Sequence, residues 1–316
     1  MSVAHRRRAL SIWLLAITLA FVGLACKRHS VGSKPRVAVS IFPLYDIARR
    51  VAGDRLDVVL VLPPGRSEHS YDPTPREMAR VADSRLAISV GLEMDAWLER
   101  IVRGAAGNGV TVVQLGPRMQ PRAMNHNEVG DEAADEARNG VEEEHHHGPL
   151  DPHFWLDPVR MQSATDVMVE AFTRLDPNGS AGFRERGDAV KQSLGALHEA
   201  IHRRSSTWTR RTIVTFHGSM GYYADRYRLN IAAVIEPFPG REPTARYITE
   251  VLAALQSTHA AAMFSEPQLD RRPAQVIADQ GHVPLFELDP VGGTAGVETY
   301  ERLLTRNTDV LERALR

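Results

Sequence analysis

Two trains of short apolar runs, each interleaved with stretches of helical period, flank one long helical pattern, and this arrangement constrains the fold more than any other feature of the chain. The first train has apolar runs at 36–41, 56–62, 86–90 and 110–115, with helical patterns at 44–51, 75–82 and 95–102. The second has runs at 212–215, 261–265 and 283–288, with helical patterns at 245–255, 273–280 and 297–315. Strand-length runs that alternate with helices form βαβ units and hence parallel sheets covered by helices. Between the trains, a pattern at 160–175 stops at Asp176-Pro177-Asn178-Gly179, and a longer one at 181–206 carries Phe183, Val190, Leu194, Leu197 and Ile201 along one face. At about 1.5 Å per residue that helix reaches about 39 Å, enough to cross a lobe. The expected fold is α/β: a β/α lobe, a long helix and a second β/α lobe, repeating in kind with no repeat at the residue level. A length of 316 residues suits one large domain or two lobes.

The first 35 residues stand apart from this pattern. Arg6, Arg7 and Arg8 precede an uncharged run from Ala9 to Ala25, followed by Cys26. A basic start, an apolar stretch and small residues at its end read as a signal peptide over 1–25, with 26–35 as a polar tether. Removing 1–25 takes away three Arg and no acid, moving the formal charge from -1 to -4. That charge argues against a nucleic-acid partner. Cys26 is the only cysteine, which excludes an intrachain disulfide and a Cys-rich metal site. Its position points to a lipidated N-terminus; ordinary cleavage near Ala25 and an uncleaved anchor are the other readings. The body is expected in the periplasm or on the outer face of a membrane.

Within the first lobe, composition changes over 125–148, which holds eight Asp or Glu, four His and one Arg. So polar a stretch buries too little surface to offset its ordering entropy and is expected to be a mobile loop. Its histidines, His126, His145, His146 and His147, could collect metal weakly, or the loop could be only a solvated one.

In open α/β sheets, ligands bind beyond the carboxyl ends of the strands. Glu68 and His69 follow the run at 56–62, His217 follows 212–215, Asp289 follows 283–288, and His153 lies in DPHFWLDP after the acidic stretch. Three imidazoles and one carboxylate suit zinc, which takes four N or O donors, better than manganese, which prefers more oxygen. Each residue also has a structural role open to it: loop polarity for His69, helix capping for His153, core hydrogen bonding for His217, a turn before Pro290 for Asp289.

Six segments in order, SEHSYDPTP (67–75), GLEMDAWL (91–98), DPHFWLDP (151–158), FHGSMGYYADRYRL (216–229), FSEPQ (264–268) and LDPVGG (288–293), resemble the periplasmic zinc-binding proteins of ABC importers, within the zinc/manganese solute-binding family. The resemblance covers 36–316. It implies an N-terminal lobe at 36–180 and a C-terminal lobe at 207–316, joined by a linking helix at 181–206 with the metal site in the cleft between them. It also implies His69, His153 and His217 as metal ligands, with Asp289 as fourth and Glu68 or a water as alternatives. The implied protein is a monomer that delivers Zn2+ to an ABC permease, and it is not an enzyme. Three other readings are a manganese or broad divalent-metal binder, a surface adhesin, and a zinc-dependent hydrolase. Against the last, there is no HExxH, and His217-Gly218-Ser219-Met220-Gly221 resembles a nucleophile elbow but has His217 where the first Gly is required.

Overall fold

A computed structural model describes residues 34–106, 109–129 and 150–316. The segment 1–25, Cys26, most of the tether and His145 to His147 lie outside the described residues. The first lobe runs β1 (Arg36–Val39), α1 (Phe42–Ala52), β2 (Asp57–Leu60), α2 (Pro75–Arg80), β3 (Ser84–Ser89), α3 (Ala96–Ala106), β4 (Thr111–Gln114) and α4 (His126–Val129). Two packed helices follow, α5 (Pro158–Leu175) and α6 (Ser180–Ser205). The second lobe runs β5 (Thr212–Thr215), α7 (Gly221–Tyr227), β6 (Asn230–Val234), α8 (Ala245–Thr258), β7 (Met263–Ser265), α9 (Arg271–Gly281), β8 (Leu285–Glu287) and α10 (Tyr300–Leu315).

Both sheets are parallel and wound alike, β2-β1-β3-β4 in the first lobe and β6-β5-β7-β8 in the second. The expected α/β class with two parallel sheets is therefore what forms. The strands differ from the apolar runs by up to two residues at either end: β5 fills its run, β3 starts two residues ahead of its run, and β7 starts two residues into its own. Capping sets several helix starts: Thr74 and Glu77 close a capping box on α2, and Asp157, Thr244, Asp270 and Thr299 cap α5, α8, α9 and α10.

Two elements depart from the sequence expectation. Strand β6 and helix α7 have no counterpart in the apolar pattern, because no Gly or Pro separates them. The break is made by Arg228, left-handed at φ 59°, whose N–H bonds back to Ala224. The acidic stretch also begins later than its composition suggests, since 126–129 is helical. Asn125 Oδ1 accepts from Glu128 N, Glu128 Oε2 accepts from Asn125 N, and the Glu128 side chain is buried against Arg122.

The lobes are tied by more than α6. Arg186 of α6 donates to the Val51 and Ala52 carbonyls at the end of α1. Glu301 of α10 accepts from Arg50 of α1 and from Ser193 of α6. Trp155 Nε1 donates to Pro290 O at 2.7 Å, and the Tyr300 hydroxyl donates to Trp155 O at 2.6 Å. The larger hydrophobic core draws on both sheets, and a smaller one lies under β5, β6, α8 and α9.

Candidate metal centre

In the second sheet the order reverses between β5 and β7, and such a switch point opens a crevice at the carboxyl ends of the strands. Every strand of this sheet is followed there by a buried titratable side chain: His217 after β5, Glu236 after β6, Glu266 after β7 and Asp289 after β8. The first lobe contributes Glu68 and His69 from the loop after β2. Trp97 of α3 holds that irregular loop by donating to Glu68 O at 3.1 Å, and Tyr71 packs edge-on against the same indole at 4.8 Å. His153 sits one turn ahead of α5, with the Trp155 ring 5.1 Å away.

The structure brings Glu68, His69, His153 and His217 together, with one donor atom from each inside 4.8 Å of the others. His217 Nε2 lies 3.1 Å from His69 Nε2 and 3.3 Å from His153 Nε2. The three rings form a triangle with centroids 4.8, 5.1 and 5.6 Å apart. Each ring nitrogen that faces away is turned to an acid in two cases: His153 Nδ1 is 2.8 Å from Asp151 Oδ1, and His217 Nδ1 is 2.8 Å from Glu266 Oε2. Carboxylates only accept, so the proton of His153 sits on Nδ1 and its Nε2 lone pair points into the group. His69 is the least buried of the four, though its side chain is only 6% exposed.

Electrostatics separates the imidazoles. Burial first, then His217 and Arg122, pull His153 well below the usual histidine range. Burial also lowers His217, but Glu266, Glu68 and Asp151 together raise it above that range. Burial lifts Glu68 to about 7, against the pull of His217 and with help from Glu266 and Asp289. Its Oε1 is buried without a hydrogen bond, 3.5 Å from His69 Nε2. Burial likewise lifts Glu236 to about 7, its Oε2 accepting from Gly240 N.

Asp289 lies beside this group. Its Oδ1 accepts from Gln268 Nε2 and from the backbone of Val291 and Gly292, while its Oδ2 is buried without a hydrogen bond. His126 does not join the group; it is exposed on α4 and lines a cavity of about 110 Å³ with Tyr247 and Glu250. Two acids were missed by sequence reasoning. Glu266 directly follows β7 and was findable by the strand-end rule used for the other three segments. Asp151 had only its closeness to His153 as a signal.

The comparisons with known proteins bear on the family and the fold. The model of the family described as "ZnuA: Zinc-uptake complex component A periplasmic" matches residues 37–314. The zinc-binding lipoprotein AdcA of Streptococcus pneumoniae is 23% identical over 310 residues, covering 96% of this chain but 60% of AdcA, so the chain spans well under two thirds of that relative. The manganese-binding lipoprotein MntA of Halalkalibacterium halodurans is 24% identical over 304 residues, covering 93% of this chain and 94% of MntA. A crystal structure of ZnuA superposes with a TM-score of 0.76 at 20% identity, covering 90% of this chain and all of that one.

Proposed function

Because the chain belongs to the periplasmic zinc-uptake component A family of zinc/manganese solute-binding proteins, we propose that it binds Zn2+ outside the cytoplasm and passes it to the permease of an ABC importer. The convergence of three imidazoles carries this reading. Tetrahedral zinc with bonds of about 2.0–2.1 Å holds neighbouring donors about 3.3–3.4 Å apart. The Nε2 separations of 3.1 and 3.3 Å are close to that without rearrangement. His69, His153 and His217 are the proposed ligands, and an imidazole-dominated set favours zinc over manganese. Glu68 supplies the fourth donor, supported by its unbonded Oε1 within the group. Asp289 is the second reading for that place, favoured by its own unbonded, buried Oδ2.

In this proposal the signal segment 1–25 takes the chain across the membrane, and Cys26 carries the lipid that keeps it there. The body acts as a monomer of two lobes linked by α6. The family is one of solute-binding proteins, so the hydrolase reading falls away. An adhesin role would use the same fold and site.

Competition against a chelator of known affinity, on residues 27–316, tests the assignment. Tight one-site zinc binding, much weaker manganese binding, and loss of both in His217→Ala are the expected results. Manganese bound as tightly as zinc would replace the zinc assignment with the broader one. Zinc binding that survives His217→Ala would remove the three-histidine site. Glu68→Gln and Asp289→Asn, compared in the same assay, identify the fourth donor as the one whose loss costs more affinity.

A further inference from the structure

The turn that carries His217 continues as Gly218-Ser219-Met220-Gly221, and one neighbouring segment presses on both glycines. A Cβ on Gly218 would stand 2.3 Å from Met124 Cε and 2.8 Å from the Glu128 carbonyl oxygen. A Cβ on Gly221 would stand 2.1 Å from Arg122 Nη1, 2.6 Å from Asp151 Oδ2 and 3.0 Å from Glu128 Oε1. Segment 122–128 therefore lies on the His217 turn at a distance that only glycine permits.

Arg122 is the centre of this contact. Its Nη1 donates to Glu128 Oε2 and to Asp151 Oδ2, both at 2.9 Å, and its Nε is 2.7 Å from Asp225 Oδ2 of α7. Its carbonyl accepts from Asp151 N at 2.9 Å. Its N–H donates to the Tyr222 hydroxyl, which donates in turn to Asp151 O. Ala123 and Leu150 pair in an antiparallel bridge, so the chain before and after residues 130–149 is joined at this place. The other oxygen of Asp151, Oδ1, accepts from His153 N at 2.9 Å and faces His153 Nδ1. One guanidinium thus grips the carboxylate that orients His153 and, with the same nitrogen, the carboxylate of Glu128 at the start of the acidic stretch. Charge-assisted contacts of this kind suit the planar, permanently charged fork of Arg, and orienting partners of a ligand set both its tautomer and its ring angle. Without Arg122, Asp151 and Glu128 face each other as two buried acids and repel.

We propose that Arg122 is a positioning residue for metal capture, fixing the ring and tautomer of His153 through Asp151 while it ties the neck of the acidic stretch, through Glu128, to the same carboxylate. The proposal rests on His153 being a metal ligand. It predicts that a side chain that never touches the ion controls affinity, and that the two glycines after His217 matter because they let Arg122 in.

The test combines zinc competition titrations with nitrogen–proton correlation spectra of the histidine rings, on residues 27–316. In the zinc-free wild type, His153 is expected as the Nδ1–H tautomer. Arg122→Gln should raise the zinc Kd about 10–100-fold and mix the His153 tautomers. Arg122→Lys, which keeps the charge but not the fork, should fall between the two. Gly221→Ala, with Arg122 intact but displaced, should move both readouts the same way. A folded Arg122→Gln protein with a Kd within about threefold of wild type, below the range for an orienting partner, would overturn the proposal. If that variant does not fold, the wild type decides: an Nε2–H tautomer of His153 in the zinc-free protein would overturn it as well. His153→Ala separates the two ideas, since zinc binding that survives it defeats the ligand assignment without involving Arg122.

Discussion

Burial lifts Glu68 to about 7 in a pocket it shares with three imidazoles, so at the proposed site metal and proton would compete. Below that pH the carboxyl is protonated in the metal-free protein, and Glu266 favours the charged form of His217 against the effect of burial. With Glu68 and His217 as the proposed donors, binding expels these protons, so affinity is expected to fall as pH falls, by about tenfold per pH unit for each proton released. Titrations from about pH 7.5 to about pH 5.5, a window set by ordinary histidine and raised carboxyl pKa values, should show a slope greater than one proton. Glu68→Gln should flatten that slope by about one proton; an unchanged slope would mean Glu68 keeps its proton when metal binds. Glu266→Gln, which removes the acid facing His217 Nδ1, should weaken binding about 10–100-fold. His69, His153 and His217 could be picked out in the sequence because imidazoles at strand ends, or in a loop ahead of a helix, have a chemical meaning that survives without coordinates. Asp151 and Arg122 were not, because their roles depend on which atom of another side chain they face; Glu266 was open to the strand-end rule, but its turn toward His217 Nδ1 was not.

At the scale of elements, the second sheet delivers one buried titratable side chain from each strand end, but of these only His217 joins the group of four; Glu68, His69 and His153 come from segments that precede that sheet. The helices of the linker were readable from their period alone; α6 matches the expected 181–206 to within one residue. Strand β6 was not, since its start depends on a left-handed Arg228 that no residue preference announces. Close packing of α5 on α6 was also hidden. Gly187 of α6 is buried, and a Cβ there would stand 2.6 Å from Val169 Cγ2 of α5. Alanine in place of a helical glycine would ordinarily stabilise by about 1 kcal/mol. Here overpacking of about 1–3 kcal/mol opposes it, so Gly187→Ala should lower the urea midpoint of unfolding. A higher midpoint would show that the two helices have room to separate.

Across the whole molecule, ties such as Trp155 to Pro290 and Tyr300 to Trp155 join segments 135 and 145 residues apart. Tyr300→Phe strands the Trp155 carbonyl and should cost about 1–3 kcal/mol of stability, measurable by calorimetry on the metal-free protein. Zinc at about a thousand times its Kd should add about 4 kcal/mol to wild-type stability, because only the folded chain binds it. In His217→Ala that increment should vanish, and its persistence would place the zinc elsewhere. The grouped imidazoles also come from far apart in the chain: His69 and His217 are 148 residues apart, His153 and His217 are 64. No fragment or unfolded intermediate can assemble them. On the proposed export route, a chain threaded across a membrane before it folds carries no assembled three-histidine site, so that site meets its metal only where folding finishes.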